Sequence, residues 1–218
     1  MRIEQPEGQR GSLKWIQRLV EKQPTRINEQ LQMITALEAG NHLTWLSPLR
    51  EDSWAEYRDS LFLRRIGQDH LSEALAQFWP RRGPQWDALA KDESGRVFLF
   101  EAKAHGSEMS SNCQAEKKSR TIINRSMVSA KQVLDAKADS NWLNGYYQYA
   151  NRLAHLNFLH QHGVDAWLVF LYFTGDQEMN GPLSEDEWMP LIEAVHLHLG
   201  LSQRLRGVAT IFQTVEGL

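Results

Sequence analysis

The sequence WDALAKDESGRVFLFEAK, residues 86–103, decides the fold of this chain. Two runs rich in strand-forming residues, 86–90 and 97–103, flank the polar segment 91–95, which carries a glycine at its end. A short polar turn with glycine between two such runs is the usual connection of a β-hairpin. The second run is apolar and then abruptly charged. The stretch therefore predicts a hairpin whose second strand ends in a charged pair.

Three charged side chains of this hairpin are predicted to converge. Glu101 and Lys103 are two residues apart, and side chains of a strand alternate between its faces, so both lie on one face. Asp87 opens the first strand and lies across from the Glu101 region when the hairpin pairs. Two carboxylates suit a Mg²⁺ ion that keeps waters for a substrate phosphate. The lysine can orient a water or steady charge on that phosphate.

A simpler interpretation of Glu101 and Lys103 is an exposed ion pair, worth about 0–1 kcal/mol and without chemical function. The pattern Glu-x-Lys alone is common. Its context favours a site, because the charged pair ends a very apolar strand and Asp87 starts the partner strand.

Hydrophobic periodicity assigns the rest of the chain to helices and strands. Helices are predicted at 12–22, 26–38, 53–66, 70–78, 114–138 and 146–161, and from Ser184, which forms a capping box with Glu187. Further strands are predicted at 42–48, 166–173 and 207–215. We therefore expect a single α/β domain over residues 1–218, with a mixed central sheet flanked by helices. Residues 1–40 are expected to form an N-terminal helical extension, and residues from about 53 to 173 the core.

The composition excludes several classes of protein. Of 218 residues 42% are hydrophobic, including eight Trp and eight Phe, which provides the apolar area that a folded core needs. The lone Cys113 excludes an internal disulfide and a cysteine-based zinc site. The longest apolar run is too short to span a bilayer, so we expect no membrane partner and a cytoplasmic location. A net charge of −3 argues against a protein that coats nucleic acid by bulk charge.

The sequence resembles the PD-(D/E)XK superfamily of restriction-endonuclease-like nucleases. The resemblance is carried by Gln85-Trp86-Asp87 and, fourteen residues after the aspartate, by Glu101-Ala102-Lys103. It covers residues 53–173, in the order helix, hairpin, helix, strand. It implies that Asp87 and Glu101 coordinate Mg²⁺ or Mn²⁺ and that Lys103 activates the attacking water of a nuclease acting on DNA. Trp86 stands where the motif's name has proline.

Two further features of the family leave alternatives open. Many members carry an additional glutamate ligand on the helix before the aspartate strand, and Glu73 is the first choice for it, with Glu56 as the competitor. The full family core also has a strand before Trp86. Either residues 81–85 are its remnant or the strand at 42–48 takes its place.

The helix predicted at 146–161 resembles the glutamine-bearing helix that follows the lysine strand in the exonuclease-like branch of the family. Gln148, Arg152 and His155 share one face of this helix, at spacings i, i+4 and i+7. They form either a polar ridge toward phosphate or water, with Gln148 taking part in catalysis, or a solvated stripe opposite the core.

A basic segment at 114–137 is the candidate nucleic-acid surface. It carries six Lys or Arg against two acidic residues, a local charge of +4 in an acidic protein. Such asymmetry favours phosphate-backbone binding, although a solvated helix face is the more frequent explanation. The residues assigned to nucleic-acid binding are Lys117, Lys118, Arg120, Arg125 and Arg152.

Two other functions remain open beside a nuclease. The first is a catalytically inactive nuclease-like module that binds nucleic acid or protein. The second is a structural or partner-binding α/β protein with an interface of exposed aromatic residues such as Trp188. The sequence leaves open DNA against RNA and internal against terminal cleavage. Because cutting both strands of a duplex often needs two active sites, a homodimer is an open alternative.

Overall fold

A five-stranded mixed sheet forms the centre of the computed structural model, which describes residues 1–35, 42–202 and 204–218. The strands are β1 (Arg2–Ile3), β2 (Thr44–Ser47), β3 (Glu56–Tyr57), β4 (Ala88–Lys91), β5 (Val97–Lys103), β6 (Ala166–Thr174) and β7 (Val208–Thr214). The helices are α1 (Gly11–Lys22), α2 (Asn28–Thr35), α3 (Ser60–Arg65), α4 (Ser72–Phe78), α5 (Lys117–Val133), α6 (Tyr147–Gln161) and α7 (Glu185–Leu199).

The strand order of the main sheet is β2-β4-β5-β6-β7. The pairs β2–β4 and β4–β5 are antiparallel, and β5–β6 and β6–β7 are parallel. Every residue of β5 is buried, and so are eight of the nine residues of β6, because helices cover both faces of the sheet. The predicted α/β class with a mixed sheet flanked by helices is confirmed.

The predicted hairpin is formed by β4 and β5. Ala88 pairs with Phe100 and Lys91 with Val97, so the register is fixed from the turn onward. Asp92 organises that turn, because its carboxylate accepts hydrogen bonds from the Ser94 hydroxyl at 2.7 Å and the Arg96 N–H at 2.8 Å. Gly95 has a φ of 85°, a conformation that glycine adopts without strain. The turn thus sets which residues of the two strands face each other at their far ends.

Two apolar clusters lie on opposite faces of the sheet. Alternating residues of β5 divide between them, with Phe98 and Phe100 on one side and Val97 and Leu99 on the other. The second side packs against helices α3 to α7. The first side packs against α1 and α2 through Trp15, Ile16, Leu19, Val20, Ile27 and Leu31.

The expected N-terminal extension is therefore a layer of the core. Leu19 and Leu31 are fully buried against the sheet, and without them Phe98 and Phe100 would face water. The boundary of the core at about residue 53 was wrong for this reason. The predicted helix at 26–38 extends over Asn28–Thr35 in the described part of the chain, and its last three residues lie outside it.

The helix predicted over 53–66 is also corrected. Only Ser60–Arg65 is helical, because Glu56 and Tyr57 pair with the N-terminal strand β1 in a small second sheet. Apolar spacing alone did not reveal this pairing, since β1 lies more than fifty residues away. The predicted helix at 70–78 is confirmed as a short 3₁₀ turn followed by α4.

The strand predicted at 42–48 is confirmed. It is β2, and it pairs antiparallel with β4 through Trp45 and Ala90, whereas residues 81–85 form no strand. The remaining predicted helices and strands are confirmed within a few residues, including the Ser184 cap, whose hydroxyl accepts from the Glu187 N–H. Within the described residues no helix has both the length and the apolar character needed to cross a membrane.

Candidate active site

Asp87, Glu101 and Lys103 meet at one end of the β4–β5 hairpin. Extending the register from Ala88 and Phe100 puts Asp87 opposite Glu101. The Asp87 carboxylate accepts a hydrogen bond from the Ala102 N–H at 2.7 Å, which ties it to the neighbouring strand. Glu101 and Lys103 share one face of β5, and the Lys103 ammonium donates to the first Glu101 carboxylate oxygen. The alternative of an exposed surface pair is excluded, since Glu101 is only 1% exposed.

The second carboxylate oxygen of Glu101 is bound by Arg152. The guanidinium Nε of Arg152 donates to Glu101 Oε2 at 2.6 Å, so both oxygens of Glu101 face cationic groups. Nη2 of Arg152 donates to the backbone carbonyl of Gln85 at 2.6 Å, and the guanidinium stacks over the Trp86 ring at 4.9 Å. Arg152 is thereby held between the two motif halves that the sequence singled out.

Arg152 was predicted to bind nucleic acid, and its position contradicts this. It is 2% exposed, and three of its five N–H donors are bound to Glu101, Gln85 and Asn151. It borders the cleft, but a buried arginine beside a buried carboxylate is bound to that partner and is not an exposed phosphate ligand. Its guanidinium is bound to Glu101 instead.

Gln148, one member of the predicted polar ridge, contacts the lysine. It lies in the first turn of α6, and its side-chain oxygen accepts a hydrogen bond from Lys103 Nζ at 3.1 Å. The Gln148 N–H in turn donates to the Ser111 hydroxyl at 2.7 Å, which fixes the start of the helix. Gln148 and Glu101 therefore orient the Lys103 ammonium from two sides.

His155 does not belong to this polar group. It is 1% exposed, and its ring packs edge-on against Phe78, Trp79 and Trp86. Burial lowers the pKa of His155 to about 3 and outweighs the hydrogen bond with the Asn151 carbonyl, which acts in the opposite direction. The proposed ridge is thus split, with Gln148 and Arg152 at the site and His155 in the core. The alternative of a solvated stripe is also wrong, because α6 is buried from Tyr149 to Leu159.

Glu56, not Glu73, joins the carboxylates. Glu56 is 6% exposed on β3 and accepts hydrogen bonds from the Gln5 amide at 3.1 Å and from the Gln85 amide. Glu73 is exposed on α4 and is not among the residues that line the site. The choice of Glu73 is therefore corrected. Glu56 was expected on a helix over residues 53–66, and the structure places it on β3, next to the site.

Burial and neighbouring charges shift the pKa values of three carboxylates, Glu56, Asp87 and Glu101. Burial raises the pKa of Asp87 well above its ordinary value, and the negative charges of Glu101 and Glu56 add to the effect. Burial, together with Glu101, raises the pKa of Glu56 to about 7, against the hydrogen bonds from Gln85 and Gln5. Burial also acts to raise the pKa of Glu101, but Arg152 and Lys103 outweigh it and hold that pKa below its ordinary value. Glu101 is therefore the ionised member of the group.

A cleft of about 400 Å³ opens beside these residues. It is lined by Glu56 and Asp87 and by the start of α6 with Tyr147 and Gln148. The segment Arg82-Gly83-Pro84, which sequence reasoning did not assign to the site, also lines it. Its glycine and proline indicate a turn, but nothing local in the sequence places that turn beside Asp87.

The fit of the site to a metal ion is limited to two ligands from the hairpin. Within residues 1–35, 42–202 and 204–218, no three His, Cys, Asp or Glu side chains come together as a metal-holding group. Asp87 and Glu101 are nonetheless hard oxygen donors on adjacent strands, and Mg²⁺ in proteins is often held by one or two carboxylates while keeping its waters. The donor chemistry fits, with Arg152 and Lys103 as neighbours of the same carboxylate.

The predicted basic surface lies on α5, apart from the cleft. Lys117, Lys118 and Arg125 are exposed and Arg120 is half-buried, and none of the four lines the cleft in the described structure. Arg125 donates to the Gln77 carbonyl at 2.9 Å, which attaches α5 to α4. These residues are accessible, as phosphate binding requires, but they are not brought to Asp87.

Neither a protein-family model, nor a curated protein, nor a solved structure matches this chain. The function has to be inferred from the chemistry of the site itself.

Proposed function

We propose that this protein is a Mg²⁺- or Mn²⁺-dependent nuclease that hydrolyses phosphodiester bonds, with DNA as the favoured substrate. One observation carries the proposal: Asp87 and Glu101 meet on adjacent strands beside an open cleft, with Lys103 held between Glu101 and Gln148. This is the arrangement that the resemblance to PD-(D/E)XK nucleases implies. The mixed sheet, in which β2, β4 and β5 run antiparallel and β6 follows in parallel, supports a restriction-endonuclease-like fold.

Asp87 and Glu101 would hold the metal, and Glu56 is the nearest further carboxylate. The raised pKa values of Asp87 and Glu56 support this assignment, because they reflect repulsion among enclosed carboxylates that a cation would offset. When bound, a divalent cation would lower the pKa of a water and steady charge on the phosphate.

Lys103 is assigned to the attacking water and the phosphate. Its ammonium is fixed by the Glu101 carboxylate and the Gln148 amide oxygen, which leaves one N–H donor for a substrate phosphate. Lys103 and Glu101 line a small cavity next to the cleft, and Gln148 lines both. A group fixed before the substrate arrives stabilises developing charge without reorganising. Gln148 and Arg152 are positioning residues in this proposal, since they act on Lys103 and Glu101.

The substitution Lys103→Ala tests the assignment. We expect metal-dependent cleavage of DNA to fall at least about 100-fold, the loss typical of removing a group that assists proton transfer or charge stabilisation. Cleavage is measured on labelled single-stranded and duplex DNA with Mg²⁺, and circular dichroism checks the fold. Lys91→Ala is the matched control, because Lys91 ends β4 at the opposite end of the same hairpin. Unchanged cleavage by Lys103→Ala would overturn the proposal.

A second candidate is an inactive nuclease-like module that binds nucleic acid or protein. It is favoured by the pairing of both Glu101 oxygens with Lys103 and Arg152, which compensates the carboxylate without a metal. Calorimetric titration with Mn²⁺ separates the two, since binding that is lost in Asp87→Asn supports the nuclease and absence of binding supports the module. The alternative of a partner-binding protein with an interface of exposed aromatic residues loses its basis at Trp188. This side chain is fully buried and donates to the Phe173 carbonyl.

Nucleic acid is the partner that this proposal requires. RNA remains an alternative substrate, and parallel cleavage assays on DNA and RNA of one sequence distinguish the two. A homodimer would bring two sites to the two strands of a duplex, and light scattering at assay concentrations tests for it.

A further inference from the structure

Arg82 is a cation at the mouth of the cleft that the proposed mechanism does not use. It is exposed and lines the cleft together with Gly83 and Pro84. No hydrogen bond or ion pair to its guanidinium is present in the described part of the chain. The neighbouring Arg81 is also exposed but does not line the cleft. The two arginines therefore share charge and exposure but differ in position relative to the cleft.

The backbone around Arg82 is held in an uncommon conformation. Arg82 has a φ of 68°, in the left-handed region that residues with a side chain seldom adopt. The Asp59 carboxylate accepts hydrogen bonds from the Arg82 N–H at 3.3 Å and the Gly83 N–H at 2.9 Å, and Asp59 itself has a φ of 54°. Strained residues fixed by their surroundings concentrate at ligand-binding sites.

Gly83 lies close to Trp79, which also lines the cleft. A Cβ added to Gly83 would lie 3.3 Å from the Trp79 ring and 3.4 Å from Asp59 Oδ1, so a larger residue there requires these neighbours to shift by a few tenths of an ångström. The loop is thereby held by Asp59, at Arg82 and Gly83, and by the packing of Gly83 on Trp79. The direction in which Arg82 leaves the backbone is set by the fold.

An anionic substrate needs a cation here. Glu56 and Asp87 line the same cleft, so a phosphate there faces two carboxylates, each of which repels it when ionised. Arg152, the other cation among the lining residues, is already paired with Glu101. A guanidinium presents paired donors that match phosphate oxygens. Arg82 is the lining residue with such donors to spare.

We infer that Arg82 binds a phosphate of the substrate strand next to the one that is cleaved, and so positions the strand over Asp87 and Lys103. The inference rests on the proposed nuclease function. It assigns substrate binding to the cleft mouth, in addition to the exposed basic residues of α5.

The test measures DNA binding without cleavage. The probe is a fluorescent DNA hairpin with a single-stranded tail, titrated in EDTA and followed by anisotropy. The variant is Arg82→Asn, since asparagine tolerates the left-handed conformation better than most residues, and Arg81→Asn is the matched control. We expect Arg82→Asn to weaken binding roughly tenfold, as for loss of one charge-assisted hydrogen bond. We expect Arg81→Asn to bind within about twofold of the unsubstituted protein, a difference below 0.5 kcal/mol.

The salt dependence gives a second reading. Each neutralised phosphate contributes about 0.7–0.9 to the slope of log affinity against log salt. Arg82→Asn should lower the slope by about that amount, Arg82→Lys should retain it, and Arg81→Asn should leave it unchanged. Equal affinities and slopes for the Arg82→Asn and Arg81→Asn proteins would overturn the inference.

The two proposals fail in different ways. If Lys103→Ala binds the probe normally but loses cleavage, and Arg82→Asn loses binding, both are supported. If the unsubstituted protein cleaves and Arg82→Asn binds as tightly as it does, the inference on Arg82 is wrong while the nuclease stands. If Arg82→Asn loses binding but no Mg²⁺-dependent cleavage is found for the unsubstituted protein, Arg82 binds phosphate in a module without activity. Absence of any probe binding overturns the inference.

Discussion

At the scale of single residues, the site is defined by charges that are paired inside the protein. Glu101 is enclosed and keeps its charge because Arg152 and Lys103 donate to its two oxygens. Asp87 and Glu56 have fewer compensating partners, and the pKa of each is raised. Removing one member of a buried ion pair leaves the other charge uncompensated. Glu101 therefore holds Lys103 and Arg152 in place through its two carboxylate oxygens.

His155 provides a prediction at this scale. Its pKa is about 3 in the folded protein against 6.5 for an ordinary histidine, so between these values the unfolded chain binds a proton that the folded chain does not. The stability contribution is complete above pH 6.5 and is lost as the pH falls. From pH 7 to pH 5 the loss should be on the order of 2 kcal/mol.

Urea unfolding of the unsubstituted protein and of His155→Phe at both pH values measures this loss. The variant should lose less stability than the unsubstituted protein on acidification. Comparing the two proteins removes the opposite contribution of Glu56 and Asp87, whose raised pKa values favour the folded state at low pH. His70 is exposed, so His70→Gln serves as the control. It should lose as much stability between pH 7 and pH 5 as the unsubstituted protein. Parallel behaviour of all three would contradict the prediction.

At the scale of elements, α1 is a wall of the core. Its buried residues pack on β5, directly behind the strand that carries Glu101 and Lys103. Glu108, just after β5, accepts from the Ser12 N–H at 3.1 Å and from the Ala104 N–H at 2.6 Å, and so joins the start of α1 to the end of that strand. The helix therefore supports the site from the face opposite to α6.

Leu19→Ala tests this role. Leu19 is fully buried between α1 and the sheet, so its truncation should lower the free energy of unfolding by about 2–5 kcal/mol. Leu197→Ala on α7 removes the same group from a side chain that is 77% exposed and should change stability by less than about 0.5 kcal/mol. Chemical denaturation gives both values. Equal effects of the two substitutions would show that α1 is not part of the core.

At the scale of the whole molecule, the fold is a sheet between two helical layers, with the cleft at one end of the hairpin. β1 reaches back to pair with β3, so the N-terminal segment also fixes Glu56. The Met1 amine and Arg2 side chain add contacts to Arg58 and Asp52. Residues near the N-terminus thus help to position Glu56, which lines the cleft.

Deleting residues 1–27 should therefore prevent cooperative folding. The deletion exposes the apolar face that contains Phe98 and Phe100 and removes the partner of β3. Binding of a hydrophobic dye and loss of a cooperative thermal transition would be the signs. A deletion of residues 1–3, which removes β1 but keeps α1, should retain a cooperative transition at lower temperature. A cooperative transition in the longer deletion would restore the view of an independent extension.

The sequence by itself determined the β4–β5 hairpin, the shared face of Glu101 and Lys103 and the approach of Asp87, whereas the contact of Gln148 with the lysine came only from the tertiary structure. The first three features follow from short-range rules, since a turn fixes register and strand side chains alternate. Only the tertiary structure decided that Glu56 replaces Glu73, that Arg152 is buried on Glu101, that α1 and α2 cover the sheet and that Arg82 stands at the cleft. Each depends on pairing between segments far apart in the chain. Local spacing shows which face of an element is apolar but not which distant segment covers that face.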